Sequence, residues 1–405
     1  MIQKNRVVIT GMGAVSPVGC EIDEIWNNIS NGISGITGID KEKYHELPIN
    51  VGGFVQGLNE EEYLSKRDLK FSSRFVSLGR IAAKKAYVNA GFDDDSDMEN
   101  TGVLISSSVG GADIIEESFR TNKTGPFFIP QIMNNSAASN VAMDINAHGT
   151  CFSTVSACAG SAQAIGEAFR KISYGEADVI FAGGADYPFT SKAIGGFYVM
   201  QAVYRGDDLS RASIPFDSAR SGFVPAEGAA VLVLEEYEHA IKRGAKILGE
   251  IVGYGSTCDA YHPTAPRADA KYEIKTILNA ISEAGISKEE IGYINAHGTG
   301  TKLNDSAECL AIKTVFEDAV KKPFVSSTKS MTGHMLSATG AMEAIICLKA
   351  LEKGFLPPNV NLLEPDSEID VNLIGSKGLD TETKYAMSNS FGFGGHNVSL
   401  IFKRY

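Results

Sequence analysis

Five stretches of strand length occur twice along this chain in the same order, and that repetition constrains the fold more than any single motif. In the first half they are Val7-Val8-Ile9 running into Gly11 and Gly13, Gly102-Val103-Leu104-Ile105 running into Ser106-Ser107-Ser108, then Phe152, Thr154 and Val155, then Val179-Ile180-Phe181-Ala182 before Gly183 and Gly184, and last Ala230-Val231-Leu232-Val233-Leu234. In the second half Ile251-Val252-Gly253-Tyr254-Gly255, Ile291-Gly292-Tyr293-Ile294, Phe324-Val325-Ser326, Tyr385-Ala386-Met387-Ser388 and Val398-Ser399-Leu400-Ile401-Phe402 answer them in turn. The apolar runs are continuous rather than alternating, so helices are expected to cover both faces of each sheet. A helix is expected after the third strand of each half. Ala162, Ile165, Ala168, Phe169 and Ile172 recur at helical spacing in one, and Ala338, Ala341, Ala344, Ile345 and Leu348 in the other. The reading is an α/β chain of two similar halves, 1–244 and 245–405, meeting near Gly244, each with one five-stranded sheet.

Of the 405 residues 43% are hydrophobic and 21% charged, enough apolar surface for a large core and too little charge for disorder. A net charge of −12 with no basic tract argues against nucleic acid as a partner. The six cysteines, Cys20, Cys151, Cys158, Cys258, Cys309 and Cys347, show no metal-ligand spacing and read as reduced thiols. No signal peptide and no uncharged apolar run of ~20 residues is present, so the expectation is a cytoplasmic protein away from membranes. Gly11-Met12-Gly13 resembles the start of a dinucleotide fingerprint, but Ser16 stands where the third glycine belongs, and a structural turn is expected there.

Chemistry concentrates at four places. Ala157-Cys158-Ala159-Gly160 is a turn of small residues ahead of a helix, which would set the Cys158 thiol at a positive dipole end that favours thiolate. By itself the stretch better describes a buried cysteine packing as a small hydrophobe, and only the rest of the chain reverses that reading. His297 lies in Asn295-Ala296-His297-Gly298-Thr299, directly after a strand, where α/β proteins place ligands. The same pentapeptide occurs at Asn146-Ala147-His148-Gly149-Thr150, but there it follows a helical stretch, so Gly149 reads as a helix terminator and His148 as structural. His334 holds in the second half the position of Cys158 in the first, and the two turns would converge if the halves face each other; Lys329 and Glu343 flank it. Asn389-Ser390-Phe391-Gly392-Phe393-Gly394-Gly395-His396 is a glycine-aromatic turn, read either as a source of backbone N–H groups for an oxyanion or as a plain hairpin. One thiol and two histidines fit acyl transfer; metal binding competes, without paired ligand spacing.

TVSACAGS around Cys158, NAHGTGT around His297, SSTKSMTGH around His334 and SNSFGFGGHN resemble the β-ketoacyl-[acyl-carrier-protein] synthases, synthase II above all, over essentially the whole chain. The resemblance implies the thiolase fold, a duplicated five-layered α/β/α/β/α sandwich with two five-stranded mixed sheets, in a homodimer that works on acyl carrier protein in fatty-acid synthesis. It implies no metal and no organic cofactor for the reaction. It implies that Cys158 takes the acyl chain as a thioester, that His297 and His334 stabilise the enolate formed when malonyl thioester loses carbon dioxide, and that Lys329 with Glu343 supports them. The backbone N–H groups of Cys158 and Phe393 would hold the oxyanion. Thr299 and Thr301 would bind pantetheine, Phe393 would gate the pocket, and Val109 and Phe197 would line it. A structural monovalent cation near Asn295, Glu343, Ser388 and Asn389 is also allowed by the resemblance.

Departures from the family pattern include Gly300 within GTGT, Ser106-Ser107-Ser108 for a G-x-G, Ser221, Ala226 and Ala230 in the RSGFVPAEGAA stretch, Val203-Tyr204 at the loop end, and Ser337 and Thr339 after His334. None touches the Cys-His-His set, but several lie near the pocket, which leaves a specialised polyketide or polyene pathway open. A thiolase would carry a second cysteine in the C-terminal glycine loop, and 388–397 has none; a chain-length partner subunit would lack Cys158. Lys66, Arg67, Lys70 and Arg74 form a small basic cluster suited to an acidic carrier protein.

Overall fold

A computed structural model describes residues 4–319 and 322–405. Ten strands carry the fold: β1 (Val7–Val15), β2 (Thr101–Ser106), β3 (Cys151–Phe152), β4 (Val179–Asp186), β5 (Gly228–Glu236), β6 (Gly249–Cys258), β7 (Ile291–Asn295), β8 (Phe324–Ser326), β9 (Tyr385–Gly392) and β10 (His396–Lys403). In the first half they lie side by side as β3-β2-β4-β5-β1, and in the second as β8-β7-β9-β10-β6. Position for position this is one order used twice. Directions repeat as well: β2 is parallel to β3 and β4, β5 is antiparallel to β4 and β1, and β7, β8, β9, β10 and β6 copy that pattern. The two five-strand sets are not wholly separate, because Val7, Val8 and Ile9 pair antiparallel with Ile251, Glu250 and Gly249 and join them into one continuous ladder of ten strands.

Continuous apolar strands bury both faces, and the packing shows which residue goes where. Val231 and Val233 join an outer cluster with Phe75, Leu78, Ile81, Ala82 and Ala86 of helix α1 (Arg74–Asn89) and with α2 (Ser136–Asp144). Their neighbours Leu232 and Leu234 point the other way, into a cluster with Ile165, Phe169 and Ile172 of α3 (Gly160–Ser173). On the second half, Ile294, Met387 and Ile401 face α4 (Lys271–Ala284) and α5 (Lys302–Phe316). Tyr293, Ala386, Leu400 and Phe402 face the shared inner cluster, which also holds α6 (Thr339–Lys353). The layers therefore run α1 and α2, first sheet, α3 and α6, second sheet, α4 and α5.

The inner helices come close because their facing residues are small. A Cβ on Gly340 would lie 2.9 Å from the Ala162 nitrogen. Gly11 and Gly13 are not a turn: both sit inside β1, where a Cβ would come within 2.5 Å of the Ala86 carbonyl oxygen and 2.1 Å of that of Ala82, both on α1. Gly253 and Gly255 on β6 meet the carbonyls of Ala280 and Thr276 on α4 in the same way. Helix-to-strand contact, duplicated, is what those glycines serve. Strand β3 stops at Phe152; Thr154 and Val155 lie in the irregular lead-in to Cys158, with Val155 exposed. No helix among the described residues is long and apolar enough to cross a membrane.

Candidate active site

Each half delivers one turn to the same place. Cys158 sits in a single 3-10 turn, Ala157–Ala159, between β3 and α3, and Ala157 takes a left-handed φ of +48°, strained for a residue with a side chain. Ser106 donates to the Thr154 carbonyl (2.7 Å) and Thr154 to that of Gly160 (2.8 Å), which pins the turn at both ends. The second-half equivalent, between β8 and α6, carries Lys329 and His334. His334 Nε2 lies 3.1 Å from Cys158 Sγ, its Nδ1 lies 3.0 Å from Thr339 Oγ1, and the His297 ring stands 5.5 Å away at 83°. One ligand-type atom from each of Cys158, His297 and His334 falls within 4.8 Å of the others.

His297 follows β7 directly. Its own N–H and that of Gly298 donate to Glu308 Oε1 and Oε2 at 2.9 and 2.7 Å, so one buried carboxylate on α5 sets the loop, while the ring Nδ1 is buried without a partner. Lys329 and Glu343 are both buried and meet at 2.5 Å. Burial pushes both histidines well below their ordinary range, and the Lys329 ammonium adds to the effect. They are neutral rings.

The Cys158 thiol departs from the dipole-based expectation. Burial pushes it up to about 12, with Lys329 pulling it back and Asp186 pushing it further. The resting pair is therefore a thiol against an imidazole. Helix α3 begins two residues on, at Gly160, and its dipole can act only on charge that develops at the sulfur.

Phe393, Gly394 and Gly395 form the turn between β9 and β10, with φ of +85° and +76° at the two glycines. The turn is thus a hairpin, and it also packs against the cysteine: a Cβ on Gly392 would lie 3.1 Å from the Cys158 nitrogen, and the Phe393 N–H is directed at the thiol and eases its ionisation. A cavity of about 560 Å³ leads to Cys158, His297 and His334, with Phe197, Phe223, Thr299, Thr301, Leu336 and Phe393 among its walls. Thr299 and Thr301 hydroxyls are 2.9 Å apart. Val109 does not border this cavity; it packs in the cluster of Phe189, Phe197 and Leu336.

The basic cluster divides. Lys66 is exposed and near Glu61 (3.7 Å), and Arg67 and Lys70 are exposed on the short helix Lys66–Phe71. Arg74 is not free to dock anything: its guanidinium is held by Glu227 at 2.7 and 3.1 Å and by Glu60. His148 is exposed, and the helix before it ends at Asp144, with Asn146 at φ +53° turning the chain ahead of Gly149.

Three residues that matter here carry no motif. Asp186 is buried and accepts from Ser107, Ser108 and Ser337, gathering departures far apart in sequence onto one carboxylate. Glu308 and Thr339 are the others. A signal for Glu308 existed in its spacing, eleven residues after His297 and one helical turn beyond Asn304 and Asp305, but without a fold nothing aims it backward. The oxygens Glu343 Oε2 and Ser388 Oγ are buried without a partner, a donor type that suits a hard monovalent cation; the side-chain oxygens of Asn295 and Asn389 are already engaged by Thr328 and Ser399.

A twice-used α/β half with a cysteine and two histidines gathered where the copies meet defines a thiolase-fold protein of the acyl-transfer class. The family models described as "Beta-ketoacyl synthase, N-terminal domain" and "Beta-ketoacyl synthase, C-terminal domain" match residues 4–240 and 248–363, and the chain belongs to that family. It is 40% identical over 415 residues to 3-oxoacyl-[acyl-carrier-protein] synthase 2 of Staphylococcus aureus (strain N315), covering 100% of both chains. Among solved structures it resembles a β-ketoacyl synthase from Burkholderia phymatum STM815 (TM-score 0.92, 32% identity, 99% of this chain and 100% of that one). It also resembles a type II polyketide ketosynthase solved with its acyl-carrier protein and bound to the hexaketide (TM-score 0.91, 32% identity, 100% of both).

Proposed function

We propose that this protein is a β-ketoacyl-[acyl-carrier-protein] synthase that extends a Cys158-bound acyl chain by two carbons through decarboxylative condensation with malonyl thioester. The observation that carries the reading is the 3.1 Å contact between Cys158 Sγ and His334 Nε2 with His297 beside them at the end of one cavity. Cys158 sulfur attacks the carrier thioester, and the departing pantetheine thiol takes up the proton. Malonyl thioester then enters, with Thr299 and Thr301 meeting its pantetheine arm. Its carboxylate leaves as carbon dioxide, and the electron pair passes to an enolate whose oxygen receives hydrogen bonds from His297 and His334. Neutral rings suit this, because an imidazole N–H stabilises developing negative charge without surrendering its proton beforehand. The enolate carbon attacks the Cys158 thioester, whose oxyanion is met by the Cys158 and Phe393 N–H groups, and the cysteine is released. Lys329 supplies positive charge beside both rings and is neutralised by Glu343. Glu343 and Ser388 would hold a structural monovalent cation, which would take no part in these steps.

The carrier protein would approach over Lys66, Arg67 and Lys70, without Arg74. Val109 would shape the pocket through the cluster it shares with Phe197 and Leu336. The halves would be 1–244 and 245–405, supported by the repeated strand order. A homodimer is supported by the free edge of β3 and by the exposed apolar side chains of Met143, Phe152 and Val155 near it. We place the protein in the cytoplasm on its six free cysteines. A second reading, a ketosynthase of a polyketide pathway, draws on the serine hub at Asp186 behind the cysteine turn. Both readings share one chemistry and differ in the chain carried. Incubation with acyl-carrier proteins of varied chain length, followed by intact mass of the enzyme and of the elongated product, tests the function and separates the two. No adduct on Cys158 with any chain would refute both.

A further inference from the structure

We propose that Thr339 is a positioning residue for His334, its hydroxyl pairing Nδ1 in either tautomer, so that Nε2 can accept a proton in one half-reaction and donate one in the other. This rests on the roles given to Cys158 and His334 above. Thr339 opens α6, is buried, and places Oγ1 3.0 Å from His334 Nδ1; that hydroxyl has no other hydrogen-bond partner among the described residues. The far side of the same ring meets Cys158 Sγ at 3.1 Å. The ring cannot turn away to find other partners. Its backbone is bonded to Val224 and Ala226, and Phe223 stands edge-on at 5.1 Å and His297 at 5.5 Å. Between His334 and Thr339 the chain makes one 3-10 turn, with Leu336 at φ +47° and Ser337 tied to Asp186 at 2.5 Å, which fixes where Thr339 begins its helix.

A neutral imidazole has one donor nitrogen and one acceptor. During loading, the thiol proton passes to Nε2 while its bonding pair stays on sulfur. Sulfur attacks the thioester carbon, the old C–S bond breaks with its pair going to the pantetheine sulfur, and that sulfur takes the proton back from Nε2. Nδ1 keeps its hydrogen throughout and donates it to Thr339 Oγ1. Before condensation the ring exchanges protons with solvent, one taken up at Nε2 from water in the cavity and one given up at Nδ1, so that Nε2 carries the hydrogen toward the enolate oxygen and Nδ1 becomes an acceptor. A backbone N–H or carbonyl in place of Thr339 could pair only one of these forms; a hydroxyl rotates and pairs both. An alkyl group pairs neither and leaves a buried nitrogen unsatisfied.

Thr339→Val keeps the shape and removes the hydroxyl, whereas Thr339→Ser keeps the hydroxyl. The expected result is a fall of about tenfold in both Cys158 acylation and condensation for Thr339→Val, at unchanged KM, with most of the rate restored in Thr339→Ser; tenfold is the size of one lost buried hydrogen bond. Alkylation of Cys158 by iodoacetamide across pH needs no substrate. Its midpoint should move to higher pH in Thr339→Val and stay put in Thr339→Ser. Thr339→Ala carries the same expectation as valine should valine fail to fold. Wild-type rates and an unshifted midpoint in the hydroxyl-free variants would overturn the proposal, as would a serine variant as slow as the valine one. If the unaltered enzyme forms no acyl adduct, the functional reading fails, while the alkylation contrast still decides the role of Thr339.

Discussion

The same five residues, Asn-Ala-His-Gly-Thr, occur at 146–150 and at 295–299 with opposite outcomes. In the first copy the histidine is exposed, its ring bonded among the described residues only to Asn146 Oδ1 at 3.1 Å, and the backbone is tied to the Met98 and Thr101 carbonyls. In the second it is 2% exposed, its ring stands beside His334, and its backbone N–H groups meet a buried carboxylate. Both glycines are crowded, Gly149 by the Thr101 carbonyl at 2.7 Å and Gly298 by Ser327 at 2.5 Å, so crowding does not separate them. What separates them is the preceding element. A helix delivers the first copy to the surface beside the edge strand; a central parallel strand delivers the second to the seam between the halves. A motif supplies groups, and topology decides whether they do chemistry.

The comparison can be broken by substitution. The largest effect belongs to the shared target of the second copy: Cys158→Ala should abolish acyl loading, read as intact mass after incubation with acyl-carrier protein. His297→Ala should leave loading in place and lower condensation by about 10²–10⁴-fold, the usual reach of one positioned proton donor. His148→Ala should change neither rate, and a loss of condensation in that variant would end the distinction drawn between the copies.

Charge sharpens the same contrast. Burial raises Glu308, behind His297, and Glu273, on the wall of the same cavity, each to about 7, with backbone N–H groups pulling back. A carboxyl raised in the folded state holds its proton to higher pH than the unfolded chain does, so the native state is favoured below the ordinary glutamate range. That advantage is lost as pH climbs from about 4.5 through 7. Glu273 has a buried oxygen with no partner, so Glu273→Gln should raise stability at pH 8 by up to about 3 kcal/mol and do little at pH 4.5. Denaturant melts at the two pH values check it, and equal shifts at both would contradict the sign. The smallest effect is at the surface. Reversing Arg67 and Lys70 to glutamate should weaken carrier-protein binding a few-fold at low salt and less at physiological salt, about what exposed charges provide.

Much of this fold was legible because its strands are buried on both faces and so are written as unbroken apolar runs, repeated in order. The glycines of β1 were not, since the sequence shows that a side chain is missing but not that Ala82 and Ala86 fill the space. Strand β3 was read too long, because Thr154 is β-branched yet spends its hydroxyl on the Gly160 carbonyl rather than extending a strand. At the site, Cys158, His297 and His334 stood out through their small-residue surroundings and their places in the repeat. Asp186 and Glu308 did not, since each acts on a loop from another element, and Thr339 stood out only as a departure from the family pattern, with nothing to aim its hydroxyl at His334. Arg74 looked like its basic neighbours, and only the fold reveals Glu227 beneath it.

The central claim is that Cys158 carries the chain and His297 acts only afterwards. It is tested most directly by giving the His297→Ala enzyme both acyl- and malonyl-carrier protein and following its intact mass alongside product. The acyl adduct on Cys158 should accumulate while elongated product forms at least about 10²-fold more slowly than with the unaltered enzyme. Product at the wild-type rate, or a His297→Ala enzyme that never acquires the adduct, would contradict it.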